Sequence, residues 1–437
     1  AWHVDTVGRD ISFYGNNNFG SYKSYHIFGY PADFYGGFWH DDNMGFGRYS
    51  PYYEKLGRKV WILGLSQEGT RWENLLGDND GLNVELQSGR LFTQASESSM
   101  FTPFKHVGFS PFATDTWSDL WFPVKHTRGM THASNRGALN LRTENDWLKI
   151  DWMSLENQKD SLIILDGRKV LVSRYLNLHP LDSFRDSVIW NGNTDRLLVK
   201  IGSDLISDSS VSAINRPLKS PSGFSWDSEY GLFLRGSDLS KQKNYKEAEA
   251  YFLKALDKNP GLVPALIQMS QIRFRQGLYA EARDYAGKAL AINTYDPWAN
   301  YFWAMASDKA GFYADATDGF SVATVDPSAR PAALLNLTRL AIRQKNLNRA
   351  KSLVDKCIGS NPENEEALIL KALIARISGE KEASLICLND ILENNPLCHH
   401  ARFEKYLNTE NITDRNDFVN MIRQEMPHET FIELTIN

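Results

Sequence analysis

The sequence predicts a multidomain chain in which β structure comes first and an α-helical solenoid follows. Three observations lead there. Aromatic residues and glycines crowd the stretch from Ile11 to Pro123, where short apolar runs are broken by Gly, Asn, Asp and Pro, the texture of strands joined by turns. Short alternating segments continue from about Thr127 to Ser210. Beyond the Pro/Ser/Gly-rich stretch Asn215–Ser225, small residues recur every 34 positions.

In the front region the expected strands are Lys59–Leu65, Asn83–Phe92 and Leu120–Val124. Six more follow at Ala138–Arg142, Trp147–Trp152, Ser161–Leu165, Lys169–Leu176, Asp186–Trp190 and Arg196–Ile201. Asp166-Gly167 reads as a hairpin turn between two of them, and Asn191-Gly192-Asn193 as a second. Six short strands over this length suggest a small immunoglobulin-like β-sandwich, or else the continuation of a larger sandwich begun upstream. Trp61, Trp72, Trp147 and Trp152 lie in apolar contexts and are expected in the core.

The helical half is the sharpest signal. Ala248, Ala282, Ala316, Ala350 and Ser384 keep the 34-residue step, and Phe252, Ala286, Phe320, Val354 and Leu388 follow in register. Gly236, Ser270, Ala304 and Ala372 recur on the preceding helix, Tyr245, Tyr279 and Tyr313 recur as well, and Pro260, Pro327, Pro362 and Pro396 close units. Small residues let paired helices approach and proline cannot continue a helix. This is the period of the tetratricopeptide (TPR) repeat, with at least five units. Beyond Pro396 the pattern decays into a cap or a further repeat. Such arrays present a groove that takes a peptide or protein, and Gln268, Arg275, Asn300, Asn336 and Arg343 are candidates to line it.

The bulk properties of the 437-residue chain bound its function. It is 42% hydrophobic and 23% charged with a net charge of −5, and no basic run points to nucleic acid. No apolar stretch is long enough to span a bilayer, and the reading is of a soluble chain, cytoplasmic or periplasmic. Cys357, Cys387 and Cys398 have neither zinc-site nor disulfide spacing and read as apolar fillers. The opening AWHVDTVGRD lacks the layout of a signal peptide and reads as the middle of a longer chain. The expected domains are residues 1–125, a β-sandwich over 126–214, a linker over 215–227, and repeats over 228–437.

Candidate chemistry lies in the front domain. On the strand beginning at Asn83, Glu85 and Gln87 alternate onto one face with Gly89 beside them and Arg90 at the end. A carboxylate, an amide and a guanidinium suit sugar hydroxyls. Trp39, His40 and Asp41 gather an aromatic, an imidazole and a carboxylate, and Lys105, His106 and Trp117 add further donors and a stacking face. No Gly-rich phosphate loop, serine nucleophile elbow or HExxH run is present, so no cofactor is expected, and the His40–Asp41 run lacks metal-site spacing.

Several motifs carry a family resemblance: Phe34-Tyr35-Gly36-Gly37, Trp39-His40-Asp41, Gly57-Arg58-Lys59-Val60-Trp61 with Gly64, Glu85 to Arg90 with Thr93-Gln94, and Trp117 to Pro123. On these, Asp10 to Pro123 resembles the latter part of an uncharacterised bacterial domain family with a galactose-mutarotase-like fold, whose members carry a TPR array behind the β region. The resemblance implies a partial β-supersandwich and carbohydrate chemistry. Aldose epimerases of that fold use a His acid and a Glu base, and Lys105-His106-Val107-Gly108-Phe109 is similar to a run in those enzymes. Their Glu-Pro-Gly approach is replaced here by Asp78-Asn79-Asp80-Gly81.

Three functions remain open on the sequence. One is a glycoside hydrolase or epimerase-like enzyme, with Glu85 as base or nucleophile and His40 or Asp41 as acid. Another is a non-catalytic protein that binds glycan through Trp39 and its neighbours. The third is a TPR scaffold carrying a decayed sugar domain.

Overall fold

The computed structural model describes residues 3–5, 7–18, 23–27, 31–62, 65, 67–76, 84–92, 100–108, 115–208, 214–409 and 411–425. The chain divides into two compact units, one of residues 1–104 and 116–220, the other of residues 105–115 and 221–437. Parts of the expected motifs (Gly64, Asp78 to Gly81, Thr93-Gln94 and Phe109) lie outside the described residues.

The first unit is β-rich. Strands β1 (Lys23–His26), β4 (Gly57–Ile62) and β5 (Val84–Gly89) form one antiparallel sheet, in the order β1-β4-β5. A second joins β2 (Phe34–Trp39), β3 (Met44–Tyr49) and β6 (Leu120–Lys125) in the order β2-β3-β6. Gly36 and Gly47 pair directly across this sheet, and a Cβ on Gly47 would lie 2.4 Å from the Phe122 ring. The glycines are there because large side chains lie flat against the backbone, which explains why aromatics and glycines crowd this stretch together. Gln67–Leu76 is a helix, α1, where the sequence suggested only strands and turns. Its Gly69 interruption and few apolar positions blur the helical period, and Trp72, expected in the core, is 44% exposed.

The six strands expected between Ala138 and Ile201 all form, as β8 (Gly137–Glu144), β9 (Trp147–Ser154), β10 (Gln158–Asp166), β11 (Lys169–Leu178), β12 (Ser183–Ile189) and β13 (Leu197–Ile201). Short strands β7 (His132–Ser134) and β14 (Asp204–Ser207) complete two four-stranded sheets, ordered β12-β9-β8-β7 and β11-β10-β13-β14. Leu139, Leu148, Ile150 and Trp152 of the first meet Leu162, Ile164, Val172 and Val199 of the second in one core. Trp152 is fully buried, its indole N–H donating to Gln158 Oε1 at 2.7 Å.

The other face of β7-β8-β9 is also covered: Ala133, Ala138 and Met153 pack with Phe122, Val124, Phe34 and Phe38 of the β2-β3-β6 sheet. The sandwich therefore continues into a third layer. That is why β9 is buried on both faces although its sequence alternates apolar and polar residues. Its buried charge, Asp151, is held by Arg142 and Arg185, each at 2.5 Å. Asp166-Gly167 does turn a hairpin, with Gly167 at φ +62°. Asn191-Gly192-Asn193 does not, because β12 and β13 belong to different sheets; Asn193 instead caps a short 3-10 turn.

The second unit is helical. Paired helices α2/α3 (Glu229–Lys241, Tyr245–Lys258), α4/α5 (Val263–Arg275, Tyr279–Leu290) and α6/α7 (Pro297–Lys309, Tyr313–Ala323) come first. α8/α9 (Arg330–Arg343, Leu347–Ser360) and α10/α11 (Glu365–Ile377, Lys381–Asn394) follow. The decayed end is a sixth pair, α12/α13 (His399–Asn408, Ile412–Glu425), with Tyr406, Phe418 and Ile422 at its centre.

The repeating small residues are fully buried: Ala248, Ala282, Ala316, Ala350 and Ser384. A Cβ on Gly236 would stand 2.7 Å from the Phe252 ring, so this position must be small. Where the small residue is serine, its hydroxyl ties paired helices together, Ser270 to the Ala282 carbonyl at 2.7 Å and Ser384 to the Ala372 carbonyl at 2.8 Å. Asn259, Asn361 and Asn395, each preceding a proline, take extended backbone and end their helices, as pre-proline sterics require. Cys357 and Cys398 are buried fillers and all three cysteines are free. Burial raises the Cys357 thiol to about 11.

Candidate functional site

The register of β1, β4 and β5 gathers polar and aromatic side chains of the first unit on one face. Antiparallel partners directly opposite one another share a face. His26 lies opposite Lys59, and Lys59 opposite Gln87. In the next row Ser24 faces Trp61, and Trp61 faces Glu85. One face of the sheet thus carries an imidazole, an ammonium, an amide, a carboxylate and an indole in two adjacent rows. Beside them is a hollow of about 210 Å³ bordered by His26, Lys59, Gln87 and Phe92, with Gly57 and Gly89 among its walls.

The hollow has room because glycines occupy the row beyond Lys59 and Gln87: Gly57 pairs with Gly89. The Gln87 amide donates to the Glu85 carboxylate, orienting both. Burial lowers the Lys59 ammonium from its ordinary value, and the Glu85 carboxylate opposes that shift. Trp61 is half-buried, leaving part of its ring at the surface next to these polar groups.

Glu85 and Gln87 therefore share this face, alternating as their spacing suggested. The other candidates lie elsewhere. Trp39 ends β2, and His40 and Asp41 form the exposed tip of the β2–β3 hairpin, on a different sheet from Glu85. No hydrogen bond or ion pair among the described residues joins them to Glu85. Arg90 donates to the Tyr53 and Glu54 carbonyls at 3.1 and 2.6 Å, so its fork clamps a turn. Trp117 is 45% exposed and has the Lys55 ammonium 4.4 Å above its ring, while Lys55 also pairs with Asp119 at 3.3 Å.

Lys105 and His106 belong to the helical unit. Lys105 Nζ lies 4.4 Å over the Trp226 ring. The backbone N–H and Nδ1 of His106 both reach Asp238 Oδ1 of α2, each at 2.8 Å. Sequence proximity to the front strands suggested a sugar site; the segment instead straps the first repeat. Only strand pairing brings His26, Lys59 and Trp61 beside Gln87 and Glu85, so the sequence alone does not single them out.

In the repeats, Asn300 is not a groove residue. Its amide is spent on the turn before its own helix, donating to the Thr294 and Asp296 carbonyls, both at 2.8 Å, and it is only 4% exposed. Asn336 donates to Tyr301 Oη at 3.2 Å, Arg343 pairs with Asp308 at 2.6 Å and Arg275 lies 5.1 Å over the Tyr245 ring. No described helix is long and apolar enough to cross a membrane.

Comparison with known proteins agrees with this division. Residues 1–124 match the model of a family described as a domain of unknown function (DUF5107). Residues 229–262 match the tetratricopeptide repeat model. Among solved structures, PilF of Pseudomonas aeruginosa is similar at 14% identity and a TM-score of 0.42, over 47% of this chain and 96% of that one. PilW, described as a widely conserved type IV pilus biogenesis factor, is similar at 14% identity and 0.44, over 48% and 98%. YrrB, described as a TPR protein with an unusual peptide-binding site, is similar at 17% identity and 0.36, over 41% and 92%. The chain has a β-rich region in front, where residues 1–124 match that family model, and a helical TPR-like solenoid behind.

Proposed function

We propose that the first unit binds carbohydrate on the β1-β4-β5 face and that the repeats recruit a peptide or protein partner. One observation carries the sugar reading: His26, Lys59 and Gln87 stand in one cross-strand row, with Trp61 and Glu85 in the next, beside a hollow of about 210 Å³. A pyranose offers hydroxyls that donate and accept, and an apolar face that stacks on an indole. Glu85 and Gln87 accept and donate, Lys59 donates, and Trp61 supplies the stacking surface. On this reading the front is a sugar-binding domain of galactose-mutarotase-like kind. The TPR array supports the partner half of the proposal, since stacked repeats present extended surfaces to peptides.

Recognition is favoured over turnover. Acid–base chemistry at an anomeric carbon needs two titratable groups flanking one atom, and the expected pair of Glu85 with His40 or Asp41 is divided between two sheets. Screening the full chain on a glycan array, then titrating the best ligand calorimetrically, tests the reading. Trp61→Ala is expected to weaken binding at least tenfold, about 1.4 kcal/mol, and Trp39→Ala to leave it unchanged, with no hydrolysis of aryl glycosides. Binding lost with Trp39→Ala but kept with Trp61→Ala would overturn it.

A further inference from the structure

A larger hollow of the first unit, about 440 Å³, opens where the outermost strands β7 and β14 of the two sandwich sheets come together. His132 and Ser207 stand in its wall. Ser207 Oγ lies 2.9 Å from His132 Nε2. The register explains how a strand residue comes to point there: Val199 faces Ser207 while Lys200 faces Leu205, so Ile206 is the extra residue of a bulge. Bulges redirect the side chains beside them.

The surrounding hydrogen bonds assign the imidazole tautomer. The Thr131 hydroxyl donates to the Leu139 carbonyl at 3.2 Å and accepts from the Leu141 N–H at 3.0 Å. His132 Nδ1, 3.3 Å away, therefore meets a remaining lone pair and carries the ring proton. Nε2 then presents its own lone pair to the Ser207 hydroxyl, which is nearer to it than to the Leu197 carbonyl at 3.4 Å. Burial favours the neutral ring, with Asp195 opposing. A hydroxyl aimed at a neutral imidazole, itself oriented by a third group, is the arrangement that activates a serine.

We propose that Ser207 is a nucleophile, with His132 as its base, toward a neutral ester bound in this hollow. Ser207 Oγ bonds to the acyl carbon as its proton passes to His132 Nε2. The bond from that carbon to the alcohol oxygen breaks, and the alcohol leaves with the proton. Water then attacks the acyl-serine, giving a proton to Nε2; the acid departs and the proton returns to Oγ. Asp33, Asp204 and Asp208 in the lining disfavour an anionic substrate, which is why the ester is neutral. This inference is independent of the sugar reading of the β1-β4-β5 face.

The test is covalent labelling of the full chain with a fluorophosphonate, followed by peptide mapping. The adduct is expected on Ser207 and absent in Ser207→Ala, and the labelling rate is expected to fall about 100-fold in His132→Gln, with folding checked by circular dichroism. p-Nitrophenyl acetate hydrolysis should be lost in parallel. A wild-type protein whose Ser207 takes no label overturns the proposal, even if a variant fails to fold. So does a folded His132→Gln that labels at the wild-type rate.

Discussion

Lys105 shows how a side chain's neighbours decide its role. Burial lowers its ammonium from 10.5 to about 8, with Asp238 opposing and Arg235 and Lys241 adding to the shift. The unfolded chain keeps that proton until about 10.5, so between roughly 8 and 10.5 the unfolded state binds more protons than the folded one. Stability owed to this residue therefore rises with pH through that window. Lys105→Met keeps the packing and removes the titration. Melting temperatures of the two proteins from pH 7 to 10 are expected to converge or cross in favour of wild type as pH rises; a constant offset would refute the assignment. The same residue marks a limit of sequence reading. Its place beside the front strands suggested a sugar contact, whereas the aromatic partner, Trp226, and the carboxylate, Asp238, come from far along the chain.

Among elements, the helix turns repeat as faithfully as the helices. Lys243, Gly277, Gly311, Lys345 and Gly379 all have positive φ, at 68°, 77°, 85°, 59° and 83°, and they are spaced 34 residues apart. Left-handed backbone costs an L-residue about 1–2 kcal/mol, partly offset by the greater freedom glycine loses on folding. Lys345→Gly is therefore expected to raise stability by up to about 1 kcal/mol, read from chemical denaturation, and Gly311→Ala to lower it. The repeats were legible because each unit is local: the small positions, the prolines and the turn residues all sit within one period. The strands from Ala138 to Ile201 were legible for a similar reason, since alternation is local too. What could not be read was pairing. His26, Lys59 and Gln87 come from three separate segments, and the short strands β7 and β14, which carry His132 and Ser207, are too brief to show a period. Sheet register brings these residues together, and register is set by tertiary packing.

At the scale of the whole molecule, two kinds of architecture share one chain. The layered β unit builds depth, with β9 covered on both faces, and leaves its polar chemistry on the β1-β4-β5 sheet and at the sandwich edge. The helical unit builds length from repeated pairs. The division of labour proposed here, sugar in front and partner behind, rests on that contrast. The most direct measurement is hydrogen–deuterium exchange of the full chain with and without its best-binding glycan from the array. Slowed exchange is expected within Gly57–Ile62 and Val84–Gly89, the strands that carry Lys59, Trp61, Glu85 and Gln87. Protection centred on the Trp39 to Met44 hairpin tip, with those two strands unchanged, would contradict it.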